Sequence, residues 1–189
     1  MSQTGAPGGS TIADLSNQPG DASFVIDRVL AANTQPGWLH GLVDPARIGA
    51  AGHSLGAMTT YQLVDNQTCL DARIKAAVVM SGVNGGCGGN PPPSMHTPVL
   101  VTHGDHDGTL PYSAGKDSYE KLNRPKYFLT ILGGLHTSDE RGGNSPAQRA
   151  ITDSMIAFFD EYLRADPGAA ARLQRAATVP GVTTFVAEP

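Results

Sequence analysis

Ser54 lies in Gly52-His53-Ser54-Leu55-Gly56, after the small and apolar run Ile48-Gly49-Ala50-Ala51 and before a helix-forming stretch. A serine on a tight strand-to-helix turn can present its hydroxyl as a nucleophile, provided a base takes its proton and an acid orients that base. Glycines two before and two after the serine would let such a turn close without backbone clashes. The pentapeptide alone is weak in a chain of 189 residues with 23 glycines. The weight therefore falls on the residues beyond Gly56.

An acid and a base come later in the chain, in the order this chemistry needs. Pro98-Val99-Leu100-Val101-Thr102-His103-Gly104 reads as a short buried strand opening into Asp105-His106-Asp107-Gly108-Thr109-Leu110-Pro111, so two carboxylates follow one strand end. Lys126 to Leu132 reads as a further strand, and Gly133-Gly134-Leu135-His136 follows it. His136 is the last histidine of the chain.

Other residues invite blander readings. The spacings of His40, His53, His96, His103 and His106 fit no zinc pattern, so no metal site is expected, and nothing in the sequence calls for a cofactor. His53 is expected to pack beside the nucleophile, and Met58 and Tyr61 to lie in the core or a pocket wall. The glycine cluster from Gly82 to Gly89 lacks the Lys-Ser/Thr ending of a phosphate loop and reads as a surface loop.

These residues must be positioned by alternating strands and helices, the pattern of an α/β domain with a mostly parallel sheet covered on both faces. Helix is expected over Asp21 to Asn33, capped by Asp21, with an apolar face at Val25, Ile26, Val29 and Leu30. Strand is expected over Arg47 to Ala51 and helix over Leu55 to Val64. Ile74 to Met80 reads as a fully buried strand, and Ser113 to Leu122 as a helix. Ser145, Pro146 and Gln148 form a capping box that opens a helix with the stripe Ile151, Met155, Phe158 and Tyr162. Residues 1–20 read as a flexible or extended lead, and 166–189 as a tail with a short helix and an extended end.

Composition fits one globular domain over 1–189, with 40% hydrophobic and 16% charged residues. A net charge of −4 argues against nucleic acid as partner. No apolar run is long enough for a transmembrane helix, and no signal peptide is visible. Cys69 and Cys87 are either two buried thiols or one bridge; a bridge would favour a secreted or extracellular setting.

The chain resembles the C-terminal two-thirds of an α/β-hydrolase of the bacterial lipase, cutinase-like and platelet-activating-factor-acetylhydrolase-like group. The resemblance runs from about Gly8 to about Leu163. It rests on Asn17-Gln18-Pro19-Gly20-Asp21, Gly52-His53-Ser54-Leu55-Gly56, Asp71-Ala72-Arg73-Ile74-Lys75-Ala76-Ala77, His103-Gly104 with Asp107 before Pro111, and Gly133-Gly134-Leu135-His136. It implies Ser54 as nucleophile, Asp107 as acid and His136 as base, with the Leu55 N–H as one oxyanion donor. Asp105 is the alternative acid, or else a turn residue beside Gly104.

The implied activity is hydrolysis of short to medium acyl esters, and of polyesters, through an acyl-enzyme. The alternatives are a catalytically weak or silent hydrolase-fold module, and a peptidase or dienelactone-type hydrolase; a serine in place of cysteine counts against the last. The strands that the family places before the elbow do not fit in the residues ahead of the first helix. The expected fold is thus a truncated or reduced α/β-hydrolase, with Gly8-Gly9 as a conceivable second oxyanion donor. An elbow strand left at the sheet edge would invite a homo-oligomer.

Overall fold

The computed structural model describes residues 14–85, 94, 96–138 and 144–189. Five strands form one sheet in the order β1 (Ile48–His53), β2 (Ile74–Met80), β3 (Val99–Gly104), β4 (Lys126–Ile131) and β5 (Thr183–Glu188). The first four run parallel and β5 pairs antiparallel to β4. The α/β architecture expected from the alternation of elements is the one observed.

Alternation along the strands sorts the core into two layers. Ala77, Val79, Val99, Val101 and Phe128 pack on one face with Ala57, Tyr61 and Val64 of α2 (Leu55–Asp65), and with Tyr119 of α3 (Tyr112–Glu120). Ala76, Val78, Leu100, Tyr127 and Leu129 pack on the other with Ile151 and Phe158 of α4 (Pro146–Arg164) and Leu173 of α5 (Ala169–Ala177). The α4 stripe covers the sheet as its sequence predicts, and its capping box is formed in both directions between Ser145 and Gln148. Tyr61 is a core residue.

The first helix departs from expectation. It is α1 (Gln18–Asn33), with Asn17 at the N-cap and Pro19 in the first turn, so Asp21 is a first-turn residue and not the cap. Proline needs no N–H donor there, which lets the helix begin earlier than an Asp cap would set it. Residues 18–20 are therefore helical, not part of an extended lead. The expected apolar face is also left largely uncovered: Val25 is exposed and Ile26, Val29 and Leu30 are only partly buried. Asp71 and Arg73 hold α1 in place, with Ser23 Oγ donating to Asp71 and Arg73 pairing with both Asp71 and Asp27. The Asp71 carboxyl is held down at about 2, chiefly by its Arg73 hydrogen bonds.

Two further readings are revised. The tail reading extends to a true sheet strand, since β5 pairs with β4 along its full length. Gly82 to Gly85 are not surface loop: Gly82 is buried against Ala57, Gln62 Nε2 donates to the Gly85 carbonyl, and Asn84 binds Asp65 and Ser118. Gly86 to Gly89 lie outside the described residues. Cys69 is disulfide-bonded, and Cys87, the other cysteine of the sequence, also lies outside them.

Asp65 ends α2 almost fully buried, and that burial pushes its carboxyl from 3.8 up to about 7 against the opposing Asn84 hydrogen bond. The native state then keeps a proton that the unfolded chain has lost, so stability falls as pH rises between the two values and stays reduced above them. Asp65→Asn should raise the melting temperature by several degrees near about pH 8, on the order of 2 kcal/mol, and leave it unchanged near about pH 4. Calorimetric melts at the two pH values check this; an equal effect at both would show that the carboxylate charge is not the cause.

The opposite edge of the sheet is β1. Among the described residues no strand pairs with its outer side. A groove of about 990 Å³ runs along that edge between α1 and β1, with Val25, Ile26, Ile48, Ala50 and Leu63 in its walls, and it reaches Ser54.

Candidate active site

Parallel strands deliver their C-terminal ends to one edge of a sheet, where the loops after them can meet. Ser54 follows β1, Asp107 follows β3 and His136 follows β4. All three side chains come together there. Ser54 Oγ is 2.8 Å from His136 Nε2, and His136 Nδ1 is 2.7 Å from Asp107 Oδ2.

The serine sits on a strained turn, with φ 56° and ψ −117°. A non-glycine residue in that region stores on the order of 1–3 kcal/mol, which the surrounding structure must offset. Ser54 N–H completes the sheet ladder to the Met80 carbonyl, and its own carbonyl accepts from Ala57 and Met58 at the start of α2. The turn is thus fixed from both sides. Of the two flanking glycines only Gly52 is forced by space: a Cβ there would lie 2.1 Å from the Gly56 carbonyl oxygen, whereas a Cβ on Gly56 would meet nothing within 4 Å.

Geometry separates the two carboxylates of this loop. Asp107 is buried, and its Oδ1 accepts from the backbone N–H groups of Thr109 and Leu110 while Oδ2 faces His136. Burial alone would raise its carboxyl, but the His136 hydrogen bond and those two N–H groups outweigh it and hold it below the ordinary value. Asp105 points elsewhere. Its Oδ1 accepts from Gly133 N–H at 2.6 Å, and His106 approaches it at 3.9 Å. It therefore fastens the Asp107 loop to the His136 loop. Gly104 and Gly134 permit that fastening, since a Cβ on Gly104 would lie 2.2 Å from the Gly134 carbonyl oxygen.

Two histidines from the stretches Gly52-His53-Ser54-Leu55-Gly56 and His103-Gly104 also reach the site. His53 does pack beside the nucleophile, and its Nε2–H donates to the His136 carbonyl at 2.8 Å, with the two rings 5.0 Å apart. His103 is fully buried, with Nε2 3.0 Å from the Leu110 carbonyl and 3.3 Å from Asp107 Oδ2. The His53 contact joins loops that only the sheet brings together, whereas the His103 contacts lie within β3 and the loop that follows it.

Leu55 opens α2, where the first N–H groups have no acceptor within the helix and the helix dipole favours negative charge. Its N–H is therefore available to an anion beside Ser54. The Gly8-Gly9 alternative for a second donor lies outside the described residues. Leu132 and Leu135, which precede His136 in the chain, are exposed. Among the described residues, no cluster of three or more His, Cys, Asp or Glu side chains is arranged to hold a metal ion. No helix among them is long and apolar enough to cross a membrane. No protein-family model matches the chain, and no curated protein matches it.

Proposed function

We propose that the chain is a serine carboxylic ester hydrolase of α/β-hydrolase type. The observation that carries this reading is the unbroken chain Ser54 Oγ, His136 ring, Asp107 carboxylate, with the serine on a strained turn at a helix N-terminus. A structural hydroxyl has no use for a half-buried imidazole backed by a buried carboxylate. A nucleophile does.

In this mechanism Ser54 Oγ attacks the ester carbonyl while His136 Nε2 takes the hydroxyl proton, and Asp107 stabilises the imidazolium through Nδ1–H. The oxyanion is met by Leu55 N–H and the dipole of α2. Collapse of the tetrahedral intermediate breaks the ester C–O bond, and His136 returns its proton to the leaving alkoxide. Water then repeats the sequence on the acyl-serine and releases the acid. Exposed apolar surface at Leu132 and Leu135, close in sequence to His136, suits acyl groups of short to medium length and chains of a polyester surface. The disulfide at Cys69 fits an oxidising compartment.

The direct test is covalent. A phosphonate ester should label Ser54 stoichiometrically, and p-nitrophenyl acetate should release a burst of p-nitrophenolate as the acyl-enzyme forms. Labelling of some other residue, or no labelling of folded protein, would remove the assignment.

The edge at β1 supports a second part of this reading: the chain works as a homo-oligomer joined through the elbow strand. Among the described residues no strand covers the outer side of β1, and the backbone edge it presents is matched by another strand better than by hydrocarbon. Phe24, Val25, Trp38 and Leu42, on and just after α1, remain exposed and would be covered by a second copy. Light scattering should therefore give a dimer whose dissociation on dilution lowers specific activity. A monomer with full, concentration-independent activity would refute the association.

A further inference from the structure

We infer that His103 is a positioning residue for the Ser54–His136–Asp107 site: its Nε2–H donates to the Leu110 carbonyl and so anchors the turn that holds the Asp107 carboxylate toward His136. The inference rests on the ester hydrolase reading and deepens it. His103 belongs to β3, has no exposed surface, and touches neither Ser54 nor the solvent side of the cleft. Its partners are what single it out.

The ring's two nitrogens have opposite surroundings. Nε2 faces two acceptors, the Leu110 carbonyl at 3.0 Å and Asp107 Oδ2 at 3.3 Å. Nδ1 faces the backbone of Gly115 in α3, so closely that a Cβ there would lie 2.4 Å away, and it has no hydrogen-bond partner. The proton therefore belongs on Nε2, as its partners require. One edge of the Tyr112 ring closes the remaining side, with centroids 6.0 Å apart.

A histidine serving only to fill the core leaves a polar nitrogen buried for no return, since an apolar side chain of similar size would avoid that cost. Here the return is visible in the acid loop. The Nε2–H donates to the carbonyl of Leu110, at one end of the turn that closes through Thr109 and Leu110 N–H onto Asp107 Oδ1, and it lies 3.3 Å from Oδ2 at the other end. Oδ1 is thereby held by the anchored turn, and Oδ2 is left to face His136 Nδ1. Among the described residues, the charged and titratable groups around His136 are Asp107 and, behind it, His103 from the β3 side, and His53 from β1; Asp105 and His106 face the outer side of the same loop.

The test compares His103→Leu, which removes the donor, with His103→Gln, whose side-chain amide can place an N–H where Nε2 stood. Loss of one donor leaves more charge on the Asp107 carboxylate, which then grips a protonated His136 more tightly. In His103→Leu we expect kcat for p-nitrophenyl butyrate to fall about tenfold, as a loosened acid permits misaligned rings, with KM unchanged. The acid limb of the pH–rate profile should move up by about half a unit. His103→Gln should restore both. A lower kcat with an unmoved pH profile, or a Gln variant as impaired as Leu, would reduce His103 to a core residue. Heteronuclear NMR of the imidazole nitrogens needs no variant to fold: a proton on Nδ1 of His103 in the wild type overturns the inference at once. The same spectra separate the two readings. If the wild type hydrolyses no ester, the hydrolase proposal fails by itself, while an upward move of the His136 titration midpoint in His103→Leu still supports the positioning role and an unmoved midpoint still overturns it.

Discussion

Ser54→Ala is expected to lower turnover of p-nitrophenyl butyrate by about 10⁶-fold, to the level of background hydrolysis, and His136→Ala to do nearly as much. The reason lies in the 2.8 Å contact between Oγ and Nε2. Nucleophile and base act in one step, so removing either leaves the other with nothing to do. The double variant should therefore lose no more than the worse of the two singles. Additive losses would mean two independent roles and would dismantle the proposed mechanism. Ser54→Gly separates activity from stability. At φ 56° a glycine carries no penalty, so this variant should be as inactive as Ser54→Ala yet more stable than the wild type by about 1 kcal/mol. An inactive protein that melts higher is hard to explain by misfolding.

How much of this was legible in the chain depended on whether the signal was local. The strand Ile74 to Met80 is found at the bounds its sequence predicts, because an apolar run buried on both faces needs no partner to be recognised. The Ser145 capping box is equally local. Asp21 misled because an acidic residue in the first turn and an N-cap look alike until Asn17 and Pro19 set the helix start. The apolar face of α1 was legible, but its lack of cover was not, since that depends on what pairs with β1. In the site, order along the chain was enough to bring Ser54, Asp107 and His136 to one point. The supporting contacts of His53 and Asp105 join residues 83 and 28 positions apart, across loops whose meeting is set by strand pairing, while that of His103 depends on how the loop after β3 folds back on its strand. The glycine pair of the elbow shows the same limit: Gly52 is required by close approach and Gly56 is not, although the motif reads both alike.

The two aspartates of the acid loop give the other large effect. Asp107→Asn should reduce kcat by about 10⁴-fold, the loss seen when a serine protease acid becomes an amide. The structure gives a reason for so large a change from so small a substitution. Thr109 and Leu110 N–H groups both donate to Oδ1, so an asparagine must keep its oxygen there and turn its NH₂ toward His136 Nδ1. That nitrogen must then become an acceptor, the ring proton moves to Nε2, and Nε2 faces Ser54 with no lone pair to receive the hydroxyl proton. The same variant should lose stability that depends on pH. A carboxyl held below its unfolded value of 3.8 stabilises the native state above that value, and the benefit disappears as pH falls through the lowered native value. Melts of Asp107→Asn and wild type should therefore differ near neutral pH and converge in acid. Asp105→Ala should behave oppositely. It frees the Gly133 N–H at a cost of about 1 kcal/mol and loosens the loop three residues before His136, so turnover should fall by about tenfold at most. Kinetics on both variants, with circular dichroism to establish folding, decide the matter: equal losses in folded protein would leave Asp105 and Asp107 indistinguishable as the acid, and a larger loss at Asp105 would reverse the assignment.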